Sequence, residues 1–453
     1  MLPSLFTSSL VALLAMAGRA HSKAVFAHYM MAGATQAHLQ QDIDDAMGAG
    51  FDGFALNIGD PTGSWMTTPL AQLFKYAETK GFKLFFSMDL YAAANACSGG
   101  SSGSCGGPNS YFPLLQKYLG SSAWARGKNG LPMISTFSSA GWEKPEWTAW
   151  RATLAGQMYF IPDFDETEGY YQAATGWWDY WGSNVEGVFS WDSAWPSGIA
   201  GSLSEGDISV DKTVMAGASA RGKGYMMPVS SLQYKNAYGG NWYRAGNLNL
   251  PTRMKNILDM ATPPEYVEFI TWNDGPESHY IGNIWPEANG DEAAGKYASQ
   301  ASAPHKAWLP VISSFITAYK SSLPSTSAVP PSSAAAVGAM WYSTILKTAS
   351  CPSDTKPGGF SLAKDQINWS IVLPKNANGY TVSFTSGSTQ LASANLVPGF
   401  NYGATSTIKA GAQKMVLKDG SGKTLLTAAS TRDVSSGCPD GIYNLNPQVV
   451  GLK

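Results

Sequence analysis

From residue 24 onward, a short apolar run ending in polar or acidic residues is followed by an amphipathic stretch, and the unit repeats eight times. The runs cover 24–30, 51–57, 83–89, 132–137, 157–163, 187–192, 224–230 and 267–274. Near-continuous apolar strands alternating with helices form parallel sheets, because helices cover both faces of such a sheet. Eight units over roughly 300 residues predict an α/β fold, a (β/α)8 TIM barrel, over 21–320. The intervening helices can be read individually. Leu39, Ile43, Ala46 and Met47 recur at helical spacing, with Gly48 and Gly50 as stop signals. Leu70, Leu73, Phe74 and Ala77 form a second face closed by Gly81, and Leu309, Ile312, Phe315 and Ile316 form another after the eighth run.

The pattern changes after residue 320. Residues 321–338 are rich in Ser, Pro and Ala and read as a linker or surface crossover. Beyond them, short alternating segments at 368–373, 380–384 and 414–417 predict a small antiparallel β-sandwich, an accessory domain over 339–453. Asp419-Gly420-Ser421-Gly422 reads as a hairpin turn. Gly422-Lys423-Thr424 imitates the tail of a phosphate loop, but the glycine that motif requires falls at Leu417.

Residues 1–20 read as a signal peptide, with a buried N-terminal helix as the rival. The apolar core at 10–17 is short of the roughly 20 residues that span a bilayer. Gly18 and Ala20 suit cleavage before His21. No later segment is apolar enough to cross a membrane, so a secreted protein of the extracellular space or cell wall, acting as a monomer, is expected. In that setting four cysteines imply disulfides, with Cys97 pairing Cys105 and Cys351 pairing Cys438. A zinc site is the alternative, but no CxxC pair or His cluster accompanies them. Asn368-Trp369-Ser370 is an N-glycosylation sequon. A net charge of −2 leaves nothing to neutralise a nucleic-acid backbone.

In an eight-stranded barrel the chemistry sits at the C-terminal strand ends. The residues ending the runs are His28 and Tyr29, Asn57 and Asp60, Ser87 and Asp89, Thr136, Asp163, Trp191 and Asp192, Ser230 and Gln233, then Trp272, Asn273, Asp274 and Glu277. Carboxylates and aromatics would converge there. Cations are nearly absent from the set, which disfavours phosphate or carboxylate substrates. No complete metal-ligand set appears, so neither a metal nor a cofactor is expected. A carboxylate pair between aromatic walls is what glycosidic cleavage needs: one acid to protonate the leaving oxygen, one carboxylate to activate water or attack. Asp274 and Glu277 are the sharpest pair, on a loop that Pro276 keeps out of regular structure. Several residues have a blander reading beside the functional one. Asp60 and Asp163 can be helix caps or loop-solvating groups. Residues 163–168 lack calcium-loop spacing and read as a solvated loop. His28 and His279 read first as satisfied structural histidines. Trp65, Trp195, Trp242 and Trp285 line a sugar cleft or fill the core.

The string Trp272-Asn273-Asp274-Gly275-Pro276-Glu277-Ser278-His279-Tyr280-Ile281-Gly282 resembles the fungal α-1,3-glucanases, or mutanases, of glycoside hydrolase family 71. Phe26-Ala27-His28-Tyr29-Met30, 51–57 and Phe189-Ser190-Trp191-Asp192 agree with it. The resemblance implies an endo-acting hydrolase of α-1,3-glucan that inverts anomeric configuration, with Asp274 as general base and Glu277 as general acid. Asp89 and Asp192 would then hold sugar hydroxyls, with Asn57, Asp60, Asn273, His279, Tyr29, Trp191 and Trp272 as further substrate contacts. A Cys-rich glucan-binding module, carried by some mutanases, is not expected here. Two alternatives stay open: a barrel hydrolase of another glucan linkage, and a catalytically silent binder of wall glucan.

Overall fold

The computed structural model describes residues 23–96, 106–196 and 204–453. The expected signal peptide and the expected Cys97–Cys105 bridge lie outside the described residues.

Each of the eight apolar runs contains a strand of one parallel sheet. The strands are β1 (Ala24–Met30), β2 (Gly53–Ile58), β3 (Lys83–Asp89), β4 (Met133–Phe137), β5 (Tyr159–Phe160), β6 (Gly187–Phe189) and β7 (Gly224–Val229). A hairpin of β8 (Gln233–Ala237) and β9 (Gly240–Arg244) then intervenes before the last barrel strand, β10 (Tyr266–Phe269). The order across the sheet is β5-β4-β3-β2-β1-β10-β7-β6. Its edges meet, because Phe189 N donates to Pro162 O at 3.0 Å and Glu186 N to Phe160 O at 2.9 Å. The TIM barrel expected from the sequence is present.

Side chains alternate across each strand, and this decides what faces the barrel axis. Along β1, Phe26, His28 and Met30 point inward, while Tyr29 points out to Asp42 of α1 (Gln36–Ala49). The interior is layered. Phe26 meets Phe85 at 5.0 Å and Tyr266 at 6.3 Å near the floor. Above them His28 Nδ1 and Glu268 Oε1 pair at 2.7 Å, both fully buried. Met30, Asn57 and Asp89 form the layer that opens to the mouth. β2 and β7 are buried along their whole length, which is why they read as unbroken apolar runs.

The helices follow the periodicity with one exception. In α1, Leu39, Ile43 and Ala46 are buried, but Met47 is 38% exposed and Ala49 takes the inner position. Thr35 caps its start, and Gly50 at φ 94° ends it in a conformation that favours glycine. In α2 (Ser64–Lys80), Leu70, Leu73, Phe74 and Ala77 are all buried and Gly81 closes the helix.

Of the expected linker, 321–336 is a packed connection, and Val337 and Gly338 already belong to a strand. Ser325 and Ala328 are buried, and Ser325 donates from N and Oγ to Asp259 at 2.9 and 3.0 Å. Beyond it stand two antiparallel sheets. One has strands Gly399–Ala404, Asn368–Leu373, Val337–Tyr342 and Gln448–Gly451 in that order. The other is built on Thr381–Ser386, Gln413–Lys418 and Thr424–Ala429. Met340, Ile371 and Leu373 of the first share a core with Val382, Phe384, Met415 and Leu417 of the second. The hairpin turn expected at Asp419 is present, its carboxylate accepting from Ser421 N and Lys423 N at 2.9 and 3.0 Å.

Cys351 and Cys438, 87 positions apart in the sequence, form the expected disulfide. Replacing both with Ala is expected to lower unfolding free energy by about 2–5 kcal/mol. Urea denaturation measures this, and an unshifted midpoint would show that the bridge does not stabilise the fold.

The sandwich side also grips the mouth of the barrel. Asn236 of β8 donates to Asp354 at 3.0 Å, and Tyr243 N of β9 to Gly358 O at 2.7 Å. Asn446 Nδ2 donates to Tyr297 O at 2.8 Å, and Tyr297 OH in turn to Pro276 O at 2.6 Å.

Candidate active site

The loop after β10 carries the two acidic residues singled out in the sequence. Its start prolongs the pairing with β1: Trp272 N donates to His28 O at 2.7 Å. Asn273 clamps Met30, donating to its O at 3.0 Å and accepting from its N at 2.7 Å. The chain then turns inward. Asp274 N donates to Thr271 Oγ1 at 2.9 Å, and Glu277 N donates to Asp274 Oδ1 at 2.9 Å. That bond ties the two acidic residues into one tight turn. Buried Ser278 takes φ 63°, a conformation disfavoured for a residue with a Cβ, so the turn is held by its surroundings.

Both carboxylates face a cleft at the C-terminal ends of the strands. Met30, Asn57, Asp89, Phe137, Trp191, Asp192, Gln233, Trp242 and Arg244 complete its lining. Asn57 donates to Asp89 at 3.2 Å, and Asp89 also accepts Ala92 N at 2.9 Å. Burial pushes the Asp89 carboxyl above its ordinary range. On the opposite wall, Asp165 Oδ2 accepts from Tyr171 OH, Ser190 Oγ, Trp191 N and Asp192 N at 2.6–2.9 Å. One buried oxygen thus fixes the turn that presents Trp191 and Asp192. The solvated loop expected at 163–168 is only partly what the chain builds: Glu166 and Glu168 are exposed, whereas Asp163 and Asp165 are buried, and at Asp165 these backbone and hydroxyl donors replace water.

The near absence of cations also needs correction. Arg244 meets Asp192 at 2.5 Å, and Lys235 meets Glu277 Oε1 at 3.1 Å. Both arrive on the β8–β9 hairpin, which the eight-run pattern does not contain. Tyr238 and Gly239 at its tip, both at positive φ, are the turn signal that marks it. Each cation is matched by a carboxylate, so neither leaves the cleft a free positive charge to draw an anion.

The surroundings drive the two central carboxyls apart. Burial dominates at Asp274 and raises it; His279 offsets this in part, and the Glu277 charge adds to it. Burial would raise Glu277 too, but the hydrogen bond and charge of His279, the Lys235 ammonium and the Gln233 amide outweigh it and hold that group well below the usual carboxylate range. His279 Nε2 lies 3.2 Å from Glu277 Oε2 and 3.9 Å from Asp274 Oδ2. The surroundings thus make Asp274 the weaker acid of the two.

Other sequence candidates stand elsewhere. Tyr29 and Trp272 lie behind the barrel wall, Tyr29 bonded to Asp42 and Trp272 packed on Phe51 and Phe54. Asp60 organises its own loop, accepting from Thr62 and from Trp65, which is 52% exposed. His28 is enclosed beneath the cleft against Trp191, with ring centres 4.8 Å apart. Trp195 lies under Trp191 and His279, Trp285 stacks on His38, and of the four tryptophans considered Trp242 lines the cleft.

Paired carboxyls of opposite tendency between indole walls, at the mouth of a barrel, define the chain as a glycoside hydrolase by fold and site. Comparison with known proteins narrows this. The family model of glycosyl hydrolase family 71 matches residues 21–453, and the chain belongs to that family. It is 28% identical to a mutanase of Penicillium rubens over 448 residues, covering 97% of this chain and 91% of that protein. It is also 28% identical to the glucan endo-1,3-alpha-glucosidase agn1 of Schizosaccharomyces pombe, covering 84% of each. Among solved structures, an endo-alpha-mannosidase of family GH99 from Bacteroides thetaiotaomicron superposes with a TM-score of 0.50 at 12% identity, covering 66% of this chain and 98% of that one. That likeness concerns the barrel fold alone.

Proposed function

We propose that this enzyme is secreted and hydrolyses internal α-1,3-glucosidic bonds of α-1,3-glucan. The observation that carries the chemistry is the Asp274–Glu277 pair at the cleft, one carboxyl pushed up and the other held down. The linkage rests on the two relatives, a mutanase and a glucan endo-1,3-alpha-glucosidase. Asp274 delivers its proton to the departing glycosidic oxygen. Glu277, kept ionised by Lys235, Gln233 and His279, takes a proton from the attacking water. This assignment reverses the roles implied by the sequence resemblance. Asp89 and Asp192, held rigid by Asn57 and Arg244, accept sugar hydroxyls, and Trp191 and Trp242 cover the apolar faces of the rings. Reducing-end release from α-1,3-, β-1,3- and α-1,4-glucans tests the reading: cleavage of the α-1,3 polymer is expected, and cleavage of another linkage alone, or binding without product, overturns it.

Inversion is the proposed stereochemical course, and one observation favours the other. A carboxylate oxygen of Asp274 and one of Glu277 lie within 4.8 Å of each other. An inverting pair stands about 6.5–9.5 Å apart and a retaining pair about 5–5.5 Å. Inversion therefore requires the groups to part when a sugar and its water enter. Proton NMR of the first product decides: a β-anomer is expected, whereas an α-anomer would make Glu277 the nucleophile of a double displacement.

A further inference from the structure

Beside the cleft lies a hollow bounded by Tyr91, Ser138, Asp163 and Glu166 that shares Phe137, Trp191 and Asp192 with it. Glu166 forms the far wall, accepting from Ser138 Oγ at 2.9 Å and from Ser139 N and Oγ at 2.6 Å. Ser139 is at the same time on the rim of the next depression, a groove between the loops that follow β4 and β5. Its walls include Trp142, Trp177, Tyr180 and Trp181, with Glu143 and Glu168 among them.

This groove has the chemistry of a site for uncharged polyols. Tyr180 is 40% exposed and lines the groove beside half-buried Trp142, with the Lys144 ammonium over the Tyr180 ring, 5.6 Å from its centre. Trp177 and Trp181 are locked below: Trp177 Nε1 donates to Thr167 Oγ1 at 2.7 Å, and Trp181 packs on Phe164 with ring centres 4.7 Å apart. Rigid aromatic faces cost little entropy when a ligand settles on them. The lining carboxylates Glu143 and Glu168 accept hydroxyl hydrogen bonds and outnumber the Lys144 ammonium that lies over the Tyr180 ring.

We propose that this groove is a distal binding site for the glucan chain, reached by the polymer as it leaves the cleft across the Glu166–Ser139 ridge. The inference rests on the reading of the enzyme as an α-1,3-glucan hydrolase and adds a hold on the polymer remote from the bond being cut. The alternative occupant, an apolar peptide, would cover the charges of Glu143, Glu168 and Lys144 without hydrogen-bonding them.

The test compares the unaltered enzyme with Tyr180→Ala, Trp142→Ala and Gly176→Gln. Gly176 lines the groove, and a Cβ added there meets no atom within 4 Å, so the Gln obstructs the groove without disturbing packing. Adsorption to insoluble α-1,3-glucan and release of reducing ends from it are measured beside the hydrolysis rate on a short soluble α-1,3-oligosaccharide. Adsorption roughly tenfold weaker, the order expected for losing one good aromatic contact, with an unchanged rate on the oligosaccharide supports the proposal. Adsorption equal to that of the unaltered enzyme in Tyr180→Ala and Gly176→Gln overturns it, as does an equal loss on both substrates. Should the unaltered enzyme leave every α-1,3 substrate intact, the functional reading itself fails, and that outcome is separate from either result for the groove.

Discussion

Asp274→Asn and Glu277→Gln are each expected to lower kcat on α-1,3-glucan roughly 10²–10⁴-fold, the usual contribution of a positioned acid or base, while oligosaccharide binding remains measurable. Both substitutions keep the shape of the side chain and remove its proton chemistry. The pH profile separates their roles. In the free enzyme, kcat/KM falls with rising pH as Asp274 loses its proton, at a pH above the ordinary Asp range because burial raises that group. It falls with falling pH as Glu277 becomes protonated, below the ordinary Glu range because His279 and Lys235 oppose it. The residual activity of Asp274→Asn should lack the alkaline fall, and that of Glu277→Gln the acid fall. The reverse pattern would restore Glu277 as the acid. Near-normal turnover in either variant would remove both residues from the mechanism.

The second large effect is on stability. Arg253→Ala should cost about 3–5 kcal/mol, because it leaves a carboxylate buried without its counter-charge. Arg253 and Asp211 are both fully buried and meet at 2.8 Å. The guanidinium also donates to Pro228 O at 2.5 Å and Asp207 O at 2.6 Å. Asp211 accepts in turn from Ser193 Oγ and Tyr225 OH, each at 2.7 Å. The pair thus joins two helices, β7 and the turn that presents Asp192. Arg253→Lys should recover little, since an ammonium cannot reproduce three donors in a planar fork. Urea unfolding reports the loss; a change under about 1 kcal/mol would place the pair with the weakly contributing ion pairs typical of exposed surfaces.

The barrel was legible because its strands are covered on both faces and so stand out as apolar runs. The β8–β9 hairpin was not, because it covers the mouth and mixes Gln233, Lys235 and Arg244 with aromatics. Arg244 and Asp192 are 52 residues apart, and no local pattern links them. Asp274 and Glu277 were legible as a pair because a three-residue spacing around Pro276 keeps them together in any compact turn. Tyr29 and Trp272 illustrate a different limit. They neighbour residues that do face the barrel interior, and the two-residue alternation of a strand sends adjacent side chains to opposite sides. Asp165 carried no motif at all; four donors from separate segments define its role only once the chain is folded.

The bonds from Asp354, Gly358 and Asn446 to the hairpin and to the segment behind Pro276 tie the terminal quarter of the chain to the candidate acid and base. Lys235 and Gln233, which set the charge of Glu277, ride on a ribbon splinted from outside the barrel. A shortened enzyme ending before residue 337 would thus be disarmed rather than merely loosened, and transplanting the barrel onto a foreign carrier would require carrying the splint along.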